Sequence, residues 1–297
     1  MKQSKLQKAY QFCQNMAQSH YENFPVASVL LPKKLRLPIS VIYAFARTAD
    51  DFADEGNASQ ETRLEQLDVY SKALSEIKNQ GYSGKDPIFI ALADVIDQHD
   101  LPISLFNDLL SAFKQDVVKN RYANFEEVLD YCTRSANPVG RLLLHLNGQP
   151  TDQQLEQSDA ICSALQLINF YQDIVQDYTE QDRIYIPQDE LAKAQLLEVD
   201  LLRTDTQHLA PLLNSLYQRT KDLMKGGFLL GASVKGRLGW EIRAMSLGGI
   251  STLHMLMEQD EEKLLTRPRL HKKQLMFIML NSACSARYLK KANLILD

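Results

Sequence analysis

Apolar positions recur at three- and four-residue intervals along nearly the whole chain, the pattern of helices that bury one face. Ile39, Ile42, Tyr43, Ala46 and Ala49 carry it from Leu37 to Glu55, where Gly56 offers a C-cap and Asn57 a break. Ser59-Gln60-Glu61 marks the next start, although Thr62 stands where a capping box wants Glu or Gln. Leu64, Leu67, Tyr70, Leu74 and Ile77 continue that helix to Asn79-Gln80-Gly81. Pro87 and Pro102 fall in first-turn positions of two more helices. A helix from about Phe125 meets Pro138, which either kinks it or bounds it. One long helix is expected from about Asp152 to Tyr178, and others over roughly 206–224, 238–258 and 272–294. No segment alternates with a period of two, and no linker or repeat divides the chain. The pattern therefore predicts an all-α fold of about ten to twelve helices in a single domain over residues 1–297.

Composition agrees. Glycine and proline number 12 and 10 in 297 residues, below ordinary usage of roughly 7% and 5%. So few turn residues disfavour a sandwich or barrel. The formal charge is −4, and the densest basic patch, Arg267, Arg269, Lys272 and Lys273, is short, so no nucleic-acid partner is expected. Cys13, Cys132, Cys162 and Cys284 are far apart and read as reduced, mostly buried thiols of a cytoplasmic protein. The N-terminus has no signal-peptide h-region. No apolar run approaches the roughly 18 residues of a membrane span. Leu275 to Leu280 is apolar but short, and reads as a buried final helix or a membrane-surface contact.

Two segments place acid against local preference. Asp50 and Asp54 lie four residues apart, one face of a helix near its C-terminus, and Asp51 and Glu55 repeat the pair one step round. Both like charge and the macrodipole oppose this arrangement unless a cation offsets it. Asn169, Asp173 and Asp177 form a second line at i, i+4 and i+8. Oxygen-only ligands suit Mg²⁺. Neither cluster includes a histidine, and Glu-x-x-His is absent from the sequence, which disfavours a di-iron bundle. Either line alone reads first as a solvated helix face. Together, on otherwise apolar helices, they suggest ionisation of a hydrophobic diphosphate.

The stretch Tyr43-x-x-x-Arg47-x-x-Asp50-Asp51-x-x-Asp54, with Gln166-x-x-Asn169-x-x-x-Asp173-x-x-x-Asp177 and Arg183-Ile184-Tyr185, resembles the squalene/phytoene synthase family over roughly residues 10–290. Within it the chain is most similar to the hydroxysqualene-forming branch of bacterial hopanoid pathways. The stretches 22–28, with Asn23, Phe24 and Pro25, 44–51, and 131–141, with Pro138, carry that finer match.

The resemblance implies an isoprenoid-synthase-type bundle around a central apolar cavity. It implies Mg²⁺ ions, about two to three with bound diphosphate, held by Asp50, Asp54, Asn169, Asp173 and Asp177. Arg47 and Arg183, with Arg267 or Arg269, would contact phosphate, and Asp51, Gln166, Tyr43, Tyr185, Asn23 and Phe24 would complete the catalytic and substrate-binding set. The implied reaction turns presqualene diphosphate and water into hydroxysqualene. The alternatives are head-to-head condensation of two farnesyl diphosphates, and a catalytically silent helical partner of a related synthase. A presqualene diphosphate synthase is an expected functional partner, and the greasy products permit peripheral contact with the inner membrane.

No dinucleotide fingerprint occurs in the glycine-containing stretch 226–239, and no nicotinamide is expected. Tyr131 and Tyr171 read as pocket lining or core, and Trp240 and Arg243 as packing and a surface pair.

Overall fold

The computed structural model describes residues 2–19, 31–203 and 207–296. Asn23 and Phe24, with the rest of the 22–28 stretch bar nothing, lie outside the described residues. Among those described there is no strand; an isolated bridge pairs Arg121 with Ile184, and the expected all-α fold is what forms.

The helices gather into two compact units. The first comprises the described residues up to Lys119 together with Pro138–Pro150. It contains α1 (Lys2–Ser19), α2 (Lys33–Asp54), α3 (Gln60–Gln80), α4 (Pro87–His99) and α5 (Ile103–Val118). Helix α2 packs on all four of the others. Its buried stripe, Leu35, Ile39, Ile42, Phe45 and Ala49, includes Phe45 with no exposed surface. The Phe45 ring meets Tyr70 of α3, Phe89 of α4 and Phe106 of α5 at centroid distances of 5.6, 5.9 and 5.4 Å. Helix α2 starts four residues earlier than Leu37 and so carries Pro38 in its interior, with Leu35 buried on the same stripe. Ser59 caps α3 by accepting from the Thr62 amide, and Asp86 caps α4 at Pro87.

The second unit comprises Asn120–Asn137 and the described residues from Thr151 onward. Its helices are α6 (Phe125–Ser135), α8 (Asp152–Gln172), α9 (Ile174–Gln181), α10 (Gln188–Lys193), α11 (Leu209–Gly227), α12 (Leu230–Ser233), α13 (Gly236–Met257), α14 (Lys272–Ser282) and α15 (Ser285–Leu296). Between α6 and α8, α7 (Asn137–Asn147) opens with Pro138 as its second residue, so Pro138 marks a helix boundary after Ala136 rather than a kink. Helices α8 and α11 pack along each other and α13 packs on both.

Four expectations change here. The helix expected over 272–294 divides after Ser282 into α14 and α15, and the run Leu275 to Leu280 leaves five large apolar side chains exposed instead of forming a buried final helix. The expected helix from Asp152 to Tyr178 breaks at Asp173, whose φ and ψ of −110° and 13° leave the helical region. Arg243 is buried rather than part of a surface pair: its Nη1 donates to the Gly231 carbonyl at 2.7 Å and its Nε to the Ser282 carbonyl at 2.5 Å. Those carbonyls lie near the ends of α12 and α14, where free acceptors are available to a guanidinium. Trp240 does pack, donating from Nε1 to Ser282 at 2.9 Å.

Cys13 and Cys132 are buried and Cys284 is exposed between α14 and α15. Burial pushes the Cys13 and Cys132 thiols up to about 12. The Arg287 and Ala286 amides hold the Cys284 thiol below its ordinary value.

Candidate active site

The first motif lies along the last three turns of α2, within the first unit. Tyr43, Arg47, Asp50 and Asp51 are half-buried, and Asp54 is exposed. Arg47 lies three and four residues before Asp50 and Asp51, so one guanidinium reaches both carboxylates. Its Nη1 is 3.5 Å from Asp50 and its Nη2 is 2.7 Å from Asp51 and also bonds Glu55. The cation that first offsets this acid is therefore a residue of the same helix. Arg47 Nε is buried and has no hydrogen-bond acceptor among the described residues. A buried N–H of a guanidinium without an acceptor fits a phosphate oxygen. Burial raises the Tyr43 hydroxyl pKa; Arg47 opposes that shift, and Asp51 and Asp50 add to it.

The second motif belongs to the second unit. Gln166 and Asn169 share a face of α8, Asp173 occupies the break, and Asp177 lies on α9. The chain keeps its i to i−4 pattern across the break: the Asp173 amide donates to the Asn169 carbonyl at 3.0 Å, and the Asp177 amide to the Asp173 carbonyl at 2.8 Å. The three residues so remain in succession despite two helices. Gln172 donates to the Pro268 carbonyl at 2.9 Å, fastening this junction to the segment that bears Arg267 and Arg269. Arg267 Nε comes within 3.1 Å of Asp173 Oδ1. That oxygen is buried and accepts no aligned hydrogen bond among the described residues. Burial raises the Asp173 pKa, and Arg267 and Arg269 pull it back.

A desolvated carboxylate with incomplete compensation fits a further cation. Asp50 and Asp54 in the first unit, and Asn169, Asp173 and Asp177 in the second, each carry a hard oxygen donor of the kind that suits Mg²⁺. Among the described residues, no three His, Cys, Asp or Glu side chains form a metal cage alone. Mg²⁺ does not require one, because water and phosphate oxygens fill the rest of its shell.

Arg183 and Tyr185 follow α9 and are both buried. Arg183 Nη1 donates to Gln181 at 2.9 Å and lies 3.5 Å from the Tyr185 hydroxyl. The Tyr185 ring stacks on Phe170 with centroids 3.5 Å apart and meets Tyr122 and Tyr131 at 5.4 and 5.8 Å. Tyr131 thus belongs to the aromatic cluster. Tyr171 is a core tyrosine whose hydroxyl accepts from Thr220 at 3.3 Å.

Sequence reasoning missed the support for this segment. Arg121 Nε bonds Glu198 at 2.7 Å and its Nη2 bonds Asp182 at 2.6 Å, while the Ile184 amide donates to Asn120 at 2.9 Å. Asn120 and Arg121, 63 and 62 positions before Arg183, thereby tie down the residues on both sides of it; no local spacing signals that. Arg121→Met is expected to lower kcat/KM for the diphosphate about tenfold or more, mostly through KM, with unchanged far-ultraviolet circular dichroism. Arg121→Lys should restore little, because a lysine cannot make the forked contact. Steady-state kinetics on the three proteins checks this.

Each unit thus presents carboxylates beside arginines on an all-helical scaffold, and comparison with known proteins gives the class. The squalene/phytoene synthase profile matches residues 17–275, and the chain belongs to that family. A hydroxysqualene synthase of Rhodopseudomonas palustris is 36% identical over 260 residues, spanning 87% of this chain and 86% of that protein. A hydroxysqualene synthase of Zymomonas mobilis is 35% identical over 243 residues, 80% of each. The solved squalene synthase of Alicyclobacillus acidocaldarius aligns with a TM-score of 0.78 at 33% identity, covering 85% of this chain and 94% of that one. The chain is an enzyme of squalene-type isoprenoid synthesis, similar to hydroxysqualene synthases.

Proposed function

We propose that this enzyme, acting as one catalytic domain over residues 1–297, converts presqualene diphosphate and water to hydroxysqualene and diphosphate with Mg²⁺. The observation that carries the reading is the identity of 34–36% to hydroxysqualene synthases over 80–87% of the chain, against 29% to mycobacterial phytoene synthases.

In this reading Asp50, Asp54, Asn169, Asp173 and Asp177 hold the Mg²⁺ ions, with Asp51 beside them. When bound, the ions act as Lewis acids that withdraw charge from the diphosphate. Arg47 presents its unpaired Nε to a phosphate oxygen, and Arg183, Arg267 and Arg269 supply further donors where negative charge develops. The carbon–oxygen bond breaks with its electron pair leaving on diphosphate. The cyclopropylcarbinyl cation rearranges with opening of a ring bond, water adds its oxygen to the cationic carbon, and that water's proton leaves with the diphosphate. Tyr43, Gln166 and Tyr185, with Asn23 and Phe24, contact the substrate, and the chain's apolar side chains exclude bulk water until rearrangement is complete. No nicotinamide takes part, because no hydride is transferred. A presqualene diphosphate synthase would supply the substrate in the cytoplasm.

Incubating the purified enzyme and Mg²⁺ with presqualene diphosphate, and separately with farnesyl diphosphate, followed by product mass analysis, tests this. Hydroxysqualene from the first alone is the expected result. Presqualene diphosphate or squalene from farnesyl diphosphate alone would overturn it in favour of head-to-head condensation.

A further inference from the structure

We infer that the outer face of α14, with the basic residues around it, docks the enzyme on an anionic lipid surface. Helix α14 is 11 residues long, and five of them are large apolar side chains left exposed. Met276 is 61% exposed, Leu280 57% and Phe277 48%. Ile278 and Ser282, one turn apart, face inward, and Ser282 is tied down by Trp240 and Arg243 of α13. With that inner stripe fixed, helical periodicity places Lys273, Met276, Phe277 and Leu280 on the opposite side. A soluble surface normally scatters its exposed apolar groups rather than collecting them on one helix.

Charge selects the occupant. From Arg267 to Leu296 the sequence contains seven Arg and Lys and no Asp or Glu, in a chain whose net charge is −4. Lys291 of α15 lies 5.2 Å from the Phe277 ring, which puts positive charge beside the apolar strip. An apolar helix face bordered by lysine suits the boundary between headgroups and acyl chains of an anionic leaflet. A second copy of the same face would bring like charges together, which opposes self-association. Among the described residues, no helix is long and apolar enough to cross a membrane, so contact at this face would be with the surface.

The test is sedimentation of the full chain with vesicles, without substrate, so that its outcome does not depend on which diphosphate is turned over. Vesicles of equal parts phosphatidylglycerol and phosphatidylcholine should bind about tenfold or more tightly than phosphatidylcholine alone, and less so at high salt. The variant Lys272→Glu/Lys273→Glu should lose about tenfold or more in binding. Met276→Ser/Leu280→Ser should lose at least as much, with unchanged circular dichroism. Equal binding to both vesicles, binding to neither, or unchanged binding by either variant overturns the inference. So does a dimer in sedimentation velocity that Met276→Ser/Leu280→Ser converts to monomer, which would assign the face to a second copy.

Discussion

Replacing Asp173 by asparagine is expected to cost roughly 10²–10³-fold in kcat/KM while leaving stability unchanged or slightly raised. The two effects move apart for one reason. Burial raises the Asp173 pKa, so the folded protein holds that proton more tightly than the unfolded chain does. At neutral pH the ionised carboxylate is therefore a burden on folding, relieved as pH falls, and the amide removes it. The lost contact with Arg267, which is 46% exposed, is worth at most about 1 kcal/mol. The amide keeps the shape of the side chain but lacks the charge that a cation or a diphosphate-bound ion would engage. Steady-state kinetics over a Mg²⁺ series, with thermal unfolding in parallel, measures both. Retained activity would show that Asp173 is not a ligand, and a parallel loss of stability would make its role structural.

The largest effect on stability is expected from Phe45→Ala, about 3–5 kcal/mol by urea unfolding. Phe45 is fully buried and is the ring on which Tyr70, Phe89 and Phe106 converge, so its loss opens a cavity bordered by α3, α4 and α5. Total stabilities run to about 5–15 kcal/mol, so the variant would keep little margin. Phe45 lies two residues before Arg47 on α2, and activity at low temperature should fall less than the folded fraction at higher temperature. Phe45→Leu fills most of the space and should cost much less. A small shift for the alanine variant would show that the four-helix packing tolerates the void.

How much could be read in advance depends on where the determining contacts lie. The start of α3 was legible because its cause is local: Ser59 accepts from an amide three residues on. The acidic lines were legible for the same reason, since helical spacing alone stacks Arg47 with Asp50 and Asp51. The break at Asp173 was not. Apolar residues such as Ile168, Tyr171 and Ile174 continue on both sides, and the contact made beside the break, Gln172 with the Pro268 carbonyl, reaches 96 residues along the chain. Likewise nothing in the α13 pattern distinguishes Arg243 from a surface arginine; its acceptors lie 12 and 39 residues away. Arg183 and Tyr185 were found through family resemblance, yet the frame of Arg121, Asp182 and Glu198 that fixes them emerges only from the folded chain. Local chemistry writes itself into spacing, and long-range acceptance of a charge does not.

The contrast among the cysteines gives the molecule a chemical address. At neutral pH Cys13 and Cys132 stay protonated and shielded, whereas Cys284 is exposed and the more readily ionised. A thiol-selective fluorophore added in limiting amount would therefore mark the turn between α14 and α15 before it touched either buried core, and would report on events at that end of the enzyme without disturbing its interior.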